Sequence, residues 1–398
     1  MQIQWRRNLW IISLGAFIAN ISFTFVLPFM PDLLVELGVK ENLSFWAGVM
    51  IAVNFFTKAV MAPVWGSLAD RYGKKLMLAR SGFGMVITFF LMGICTSPLQ
   101  LFIIRALNGI CSGFITAGMM LIVSNTPEGD MPFAVGILNT FTAVGGITGP
   151  IMAGILLQFL NIKMVIFVAA GLLFLATVLA LWGTKEKIIP LKKRTTIFQD
   201  MKVVLKDETL RVYIFCLVML NLGTQLITPT LPLRVAELTT SKPELFTGIL
   251  FSITGVSLAI GSPFVCRIRR FSYPVILLLG LMLSGIFNVT MGLTASLLLL
   301  GIERFLLGFT NSLINVSGNV LVTSNSNPEM RGRVFGILHC FVAIGMGMGP
   351  LIGGFIGEQI NYGSAFYGSA FFFFLAAVTV YQKMKIPKRP KPRRIAIG

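Results

Sequence analysis

The sequence predicts an all-α integral membrane protein built as two similar bundles of six helices. Apolar runs of about 20 residues, the length that crosses a bilayer, recur along the whole 398-residue chain. Only 12% of the residues are charged, roughly half the ~25% usual in soluble chains, and the mean hydropathy is +0.84. A stretch of the first half, starting at Gly136, returns in the second half at Gly336. A transmembrane β-barrel would instead show alternating segments of ~10 residues.

The first run, at about 9–30, carries Ala16, Asn20 and Thr24 and passes into PFMPDLLVEL, which holds Pro28, Pro31, Asp32 and Glu36. It is too long for a signal-peptide core and has no small-residue cleavage site, so it is expected to stay as a span. The second, at about 45–65, contains Lys58 and leads into GSLADRYGKK, Gly66 to Lys75. The third and fourth, at about 76–96 and 99–122, are followed by a polar turn with Glu128 and Asp130. The fifth, at about 132–159, holds a glycine-proline segment, and the sixth runs at about 163–183. A polar, basic connection at 184–209 divides the first bundle, 1–183, from the second, 210–383. The second bundle has runs at about 210–232, 245–265, 273–294, 296–321, 333–357 and 364–382, then a basic tail at 384–398.

The halves share an origin. GILNTFTAVGGITGPIMAG from Gly136 matches GILHCFVAIGMGMGPLIGG from Gly336, which sets Gly145, Gly149, Pro150 and Gly154 opposite Gly345, Gly349, Pro350 and Gly354. PFMPDLLVEL returns as PTLPLRVAEL, with Glu36 opposite Glu237, and Arg105-x-x-x-Gly109 returns as Arg304-x-x-x-Gly308. Parallel repeats of this kind pack about an axis along the membrane normal, with a substrate site near the midplane between them.

Loop charge fixes the orientation. With the N-terminus inside, cytoplasmic segments hold about 26 of the 33 basic residues, external loops about 4 (Lys40, Lys163, Arg234, Lys242) and spans about 3 (Lys58, Arg105, Arg304). Both termini are therefore expected in the cytoplasm of a multi-pass cell-membrane protein. The net charge of +18 then follows topology, and no nucleic-acid partner is expected. Five scattered cysteines (Cys95, Cys111, Cys216, Cys266, Cys340) and a single histidine imply neither a disulfide framework nor a metal site. No cofactor is expected.

Charges inside spans are costly and mark function. Arg105 and Arg304 either serve substrate or proton coupling, or tie backbone carbonyls across a bundle. Glu303, the one acid clearly inside a span, is a candidate proton carrier, or reaches out to the external surface. Lys58 either serves the cavity or snorkels towards the cytoplasm. His339 and Asn139 occupy equivalent repeat positions, which suggests a common cavity, and histidine titrates near neutral pH. Asp32 and Glu237 sit at external ends, either as proton entry points or as solvated surface groups.

On these residues the chain resembles the major facilitator superfamily, and within it the bacterial twelve-span drug:proton antiporters. GSLADRYGKK is similar to the family's loop motif between the second and third spans, RALNG (105–109) to its fourth-span arginine motif, and GGITGPIMAG (145–154) to its fifth-span antiporter motif. The resemblance implies the two-bundle fold and alternating access. It also implies a latch of the outward-facing state formed by Gly66, Asp70, Arg71, Gly73 and Lys74. Asp70 would face the N-terminus of the eleventh helix, where a carboxylate gains up to ~2 kcal/mol, and Arg71 would meet Glu128 or Asp130. Gly66 is expected to allow close helix approach and Gly73 a tight turn. A basic loop that only sets topology is the plainer alternative. The glycine-proline segments, Gly145 to Gly154 and Gly345 to Gly354, are expected to form a packing gate between the halves. The acid that several such antiporters carry in the first span is missing here.

The expected function is proton-coupled export of amphipathic drugs or dyes by a monomer in contact with membrane lipids. The alternative is export of an anionic metabolite such as a carboxylate siderophore, because Lys58, Arg105 and Arg304 outnumber the buried acids. No enzyme is expected: HExxH and GxSxG are absent, and RYGKK lacks the glycine and hydroxyl of a phosphate loop.

Overall fold

The computed structural model describes residues 2–186, 204, 206–268, 271–326 and 330–385. Most of the connection predicted at 184–209 and of the tail at 384–398 lies outside them. Among the described residues twelve helices are long and apolar enough to cross a membrane: Trp5–Val26, Leu43–Ala69, Lys74–Ile94, Pro98–Asn125, Met131–Leu156, Ile162–Gly183, Glu208–Leu226, Pro243–Val265, Tyr273–Leu293, Leu297–Asn325, Arg333–Gln359 and Ser364–Met384. They are the first to twelfth spans below. The terminal face carries the N-terminus and the last helical turn; the opposite face carries the hairpins at 37–42 and 294–296.

Two spans end earlier than predicted, for one reason. The first stops at Val26 and the seventh at Leu226, and each is followed by a separate short helix, Met30–Glu36 and Leu231–Leu238, with proline in its first turn. Proline lacks the N–H that a continuing helix needs, yet its fixed φ suits a new first turn. The fourth span is also not continuous. It breaks between Pro98–Cys111 and Phe114–Asn125, where Gly113 takes a φ of +132°, while its repeat, Leu297–Asn325, is unbroken.

The repeat reappears as packing. The first span lies on the fifth and sixth, the third on the sixth, and the second on the fourth; the seventh, ninth and eighth make the equivalent pairings with the eleventh, twelfth and tenth. One apolar core draws its buried residues from Ala19 to Ala180 and another from Val204 to Val380. The halves meet through the second span on the eleventh and the fifth on the eighth.

Towards the opposite face these two seams are backbone against backbone. A Cβ at Gly48 would collide with the carbonyl of Pro350, and one at Gly248 with that of Pro150. Ser44 Oγ donates to the Gly354 carbonyl at 2.6 Å, its N–H to Glu358 Oε2 at 3.1 Å, and Ser252 Oγ to the Ile147 carbonyl at 2.5 Å. The halves still touch where Phe56 meets Gly347 and Ile147 meets Gly255. Nearer the terminal face, Gly66, Gly136 and Gly336 have no neighbour within 4 Å of where a Cβ would stand. The close approach expected at Gly66 is therefore not made in this conformation: the halves have parted there.

Candidate functional site

The parted region is a cleft between the halves. Asn139 on the fifth span and His339 on the eleventh are exposed at equivalent repeat positions, and Lys58 on the second is half-buried. Lys58 lies close enough to His339 to act on it electrostatically. No acid pairs with Lys58 among the described residues. A lysine of this kind is a point charge for whatever enters the cleft.

Asn20 does not face the cleft freely: its Nδ2 donates to the Thr142 carbonyl at 2.6 Å and ties the first span to the fifth. The glycine-proline segments have two duties. Gly145 and Gly149 abut the backbone of the first span, as Gly345 and Gly349 abut that of the seventh. Pro150 and Gly154, with Pro350 and Gly354, meet the other half.

The two span arginines are equivalent in geometry as well as in sequence. Arg105, 1% exposed, donates from Nε to the Met50 carbonyl at 3.0 Å; Arg304, 3% exposed, donates from Nε to the Leu250 carbonyl at 3.2 Å. One turn on, Gly109 abuts the Asn54 carbonyl and Gly308 the Thr254 carbonyl. In each half the Arg-x-x-x-Gly spacing thus locks one helix along its neighbour, the arginine bonding a carbonyl and the glycine clearing the next. Each guanidinium keeps one buried nitrogen unpartnered, Nη2 of Arg105 and Nη1 of Arg304.

Glu303 turns away from its neighbour Arg304. It is 6% exposed, and its Oε2 accepts from the Thr294 hydroxyl at 2.8 Å beneath the hairpin joining the ninth and tenth spans. It stands six residues from the start of its span at Leu297, about 9 Å along the axis at ~1.5 Å per residue. Lys58 stands fifteen residues from Leu43, about 22 Å down its own span, so the two charges are at different depths. Glu237 is paired with Arg234 at 2.9 Å on the surface. Asp32, beyond the end of the first span, is half-buried, and burial pushes its carboxyl up to about 7, with the Glu244 carboxylate adding to the rise. On the same short helix Glu36 pairs with Lys163 at 3.6 Å.

In the loop motif, the second helix runs on to Tyr72, and Gly73, with a φ of +100°, makes the whole turn. Arg71 lies over the Tyr72 ring, 5.3 Å from its centroid, and makes no ion pair with Asp130. The side chains of Asp70 and Glu128 lie outside the described residues. The N–H groups of Lys74 and Lys75 donate to the Glu186 carboxylate at 2.8 and 2.9 Å, and Lys75 Nζ donates to the Thr184 carbonyl at 2.7 Å. The start of the central connection therefore caps the third span, where an anion satisfies free N–H groups and the helix dipole.

Sequence reasoning missed Glu186, because a cap from so distant a residue has no local spacing. It also missed Arg80, although the predicted third span, 76–96, already contained it. The Arg80 guanidinium stacks on Trp65, 3.6 Å from the ring centroid, and Trp65 Nε1 donates to the Ile110 carbonyl at 2.7 Å beside the break in the fourth span. A polar chain of Asn54, Asn108 and Thr88 joins the second, fourth and third spans at 2.8 and 2.7 Å; asparagine inside an apolar run was its signal. No cluster of metal-ligating residues occurs among the described residues.

The family profile described as Major Facilitator Superfamily matches residues 12–233 and 213–396. The chain is 31% identical over 392 residues to the multidrug resistance protein MdtG of Proteus mirabilis (strain HI4320), covering 97% of this chain and 98% of that protein. It is 31% identical over 396 residues to MdtG of Escherichia coli O1:K1 / APEC, covering 98% and 97%. Among solved structures it is similar to a mutant form of the nucleoside transporter NupG, with a TM-score of 0.80 at 14% identity over 95% of this chain and all (100%) of that one. It is also similar to a bacterial homologue of the lysosomal transporter Spinster, inward-facing and unoccupied, with a TM-score of 0.78 at 15% identity, covering 95% of this chain and 96% of that one.

Proposed function

The chain belongs to the major facilitator superfamily, a transporter rather than an enzyme, and on that premise we propose that it exports amphipathic compounds in exchange for protons by alternating access. One observation carries the reading: the halves are sealed at one face and parted at the other. In this reading Lys58, His339 and Asn139 serve the parting. In this reading the terminal face is cytoplasmic, by the excess of basic residues there, and the conformation is the inward-open one. The cleft receives cargo and the sealed seams are the outer gate. Gly66, Asp70, Arg71, Gly73, Lys74, Glu128 and Asp130 form the latch of the opposite state, when the cytoplasmic ends close. The transporter acts as a monomer.

Protons enter this scheme at Asp32 and His339. Asp32 has an ordinary value of 3.8 and sits at about 7 with the outer gate closed. In an open gate, solvated and away from Glu244, it returns towards the ordinary value. Because the closed form holds the proton more tightly, protonation favours closure. That preference is fully present below about 4 and is lost as the pH rises to about 7. Expected result: a spin-label pair across the outer ends of the fifth and eighth spans lengthens as the pH is raised from about 4 to about 8. Asp32→Asn removes the part of this dependence that Asp32 supplies; a variant that moves with pH as the wild type does removes Asp32 from the scheme.

A second reading is export of amphipathic anions, such as a carboxylate siderophore. Its support is Lys58, a half-buried cation with no acidic partner among the described residues. Everted vesicles acidified inside and loaded with a pH-sensitive dye separate the readings. Proton release on adding neutral or cationic drugs supports the first. Release with carboxylates alone supports the second. No release with any of them overturns proton-coupled export.

A further inference from the structure

Glu303 takes no part in the cleft, and its surroundings have the form of a separate binding site. Its side chain lines an open depression of about 570 Å³ together with Thr290, Leu293, Thr294, Ala295, Ser296 and Leu299. All of these belong to the ninth and tenth spans or to the hairpin between them. The cavity therefore opens at the rim of the bundle, away from the seams between the halves. Leu293 is 73% exposed, and Leu298 and Leu299 are exposed beside it, as side chains lying against acyl chains would be.

The repeat supplies the control. Cys95 and Ile104 occupy, in the first half, the positions that Thr294 and Glu303 occupy in the second, counted from Arg105 and Arg304. Ile104 is buried and Cys95 bonds only its own helix, at the Met92 carbonyl. A helix hairpin at this place is thus complete without any acid. A carboxylate 94% buried by its 6% exposure, in the hydrocarbon margin, holds one hydrogen bond from a neutral hydroxyl and none from a cation among the described residues. Buried charges are stable when paired, and the open side of this one faces the cavity.

We propose that the cavity between the ninth and tenth spans binds an ammonium headgroup, with Glu303 as its counter-ion and the exposed leucines against its apolar chain. Two sources present that chemistry at this depth: a phospholipid with a primary amine, and an amphipathic amine dissolved in the same leaflet. Both form an N⁺–H···O⁻ bond to Glu303. A quaternary choline head has no N–H to give. The proposal goes beyond the transport reading and stands if that reading fails, because binding is measured without gradient or cargo.

The test uses the full chain in nanodiscs of phosphatidylglycerol doped with either phosphatidylethanolamine or phosphatidylcholine, with retained lipid counted by native mass spectrometry. Wild-type protein is expected to retain phosphatidylethanolamine at least fivefold over phosphatidylcholine, and Glu303→Gln to lose that preference. Glutamine still accepts from Thr294, so folding is preserved, and a thermal melt checks it. Leu299→Trp, one turn before Glu303 on the same helix face, fills the cavity while keeping the carboxylate and is expected to give the same loss. Labelled dodecylamine is then offered in pure phosphatidylglycerol discs. Retention of phosphatidylethanolamine assigns the site to lipid, and retention of the amine alone assigns it to amphipathic amines. Equal retention of both probes by wild type and Glu303→Gln overturns the proposal.

Discussion

Gly48→Leu is expected to reduce transport more than tenfold while leaving the protein folded and in the membrane. The second and eleventh spans touch at Gly48 through main chain alone, so a side chain there collides with the Pro350 carbonyl rather than with a flexible group. The helices must separate by the width of that side chain. Separation also breaks the bonds from the Ser44 hydroxyl to the Gly354 carbonyl and from the Ser44 N–H to Glu358. Each bond contributes about 1 kcal/mol net, and overpacking adds about 1–3 kcal/mol. A total of about 3–5 kcal/mol moves the balance between closed and open outer gates by more than a hundredfold, at 1.4 kcal/mol per factor of ten. The collision is with Pro350 and Gly354 of the other half rather than with Gly48's own bundle, so the cost falls on the seam. The repeat predicts the same loss for Gly248→Leu, which meets Pro150 in the same way. The check is paired: uptake into everted vesicles, and label distances across the outer ends of the second and eleventh spans. Normal transport with an unchanged distance would mean that the seam yields without cost and does not gate.

That seam was half legible in the sequence. The glycine-proline segments announced close packing, and the repeat announced that it would occur twice. Which partner each glycine meets was not legible, since apolar spans carry almost no asymmetry to show which side faces a helix and which faces lipid. Gly145 and Gly149 turn to the first span, whereas Gly154, on the same helix, turns to the other half. The partner of Gly154 is Glu244, and no rule of spacing could supply it. Arg105 and Arg304 were legible as charges that needed a reason. Their reason, a carbonyl on a neighbouring span, is a tertiary fact. The break at Ser112–Gly113 was hidden for another cause: the apolar run continues through it, and only the φ of Gly113 gives it away. Lys58, His339 and Asn139 were all named from sequence; Lys58 and His339 come near each other across the halves, a proximity between the second and eleventh spans that no spacing announces.

Lys58→Glu is expected to change the preference between anionic and cationic cargo by at least tenfold. A charge about 8 Å from the ammonium, at an effective dielectric near 20, feels about 2 kcal/mol. Inverting the residue doubles the difference, and water in an open cleft screens it back to about 2 kcal/mol, a factor of about thirty. Lys58→Gln should give roughly half that effect in energy, because it removes one charge where glutamate reverses it. Competitive uptake of an anionic and a cationic amphiphile of matched apolar volume measures the ratio directly. A ratio unmoved by inversion would put the cargo out of reach of Lys58 and leave the lysine as a snorkelling anchor for the second span. A ratio that inverts would place the cargo's charged end beside Lys58 and His339, between the second and eleventh spans. Cargo held there would be released outward only when the seams at Gly48 and Gly248 part, so the discrimination and the gate would be coupled through the same two pairs of helices.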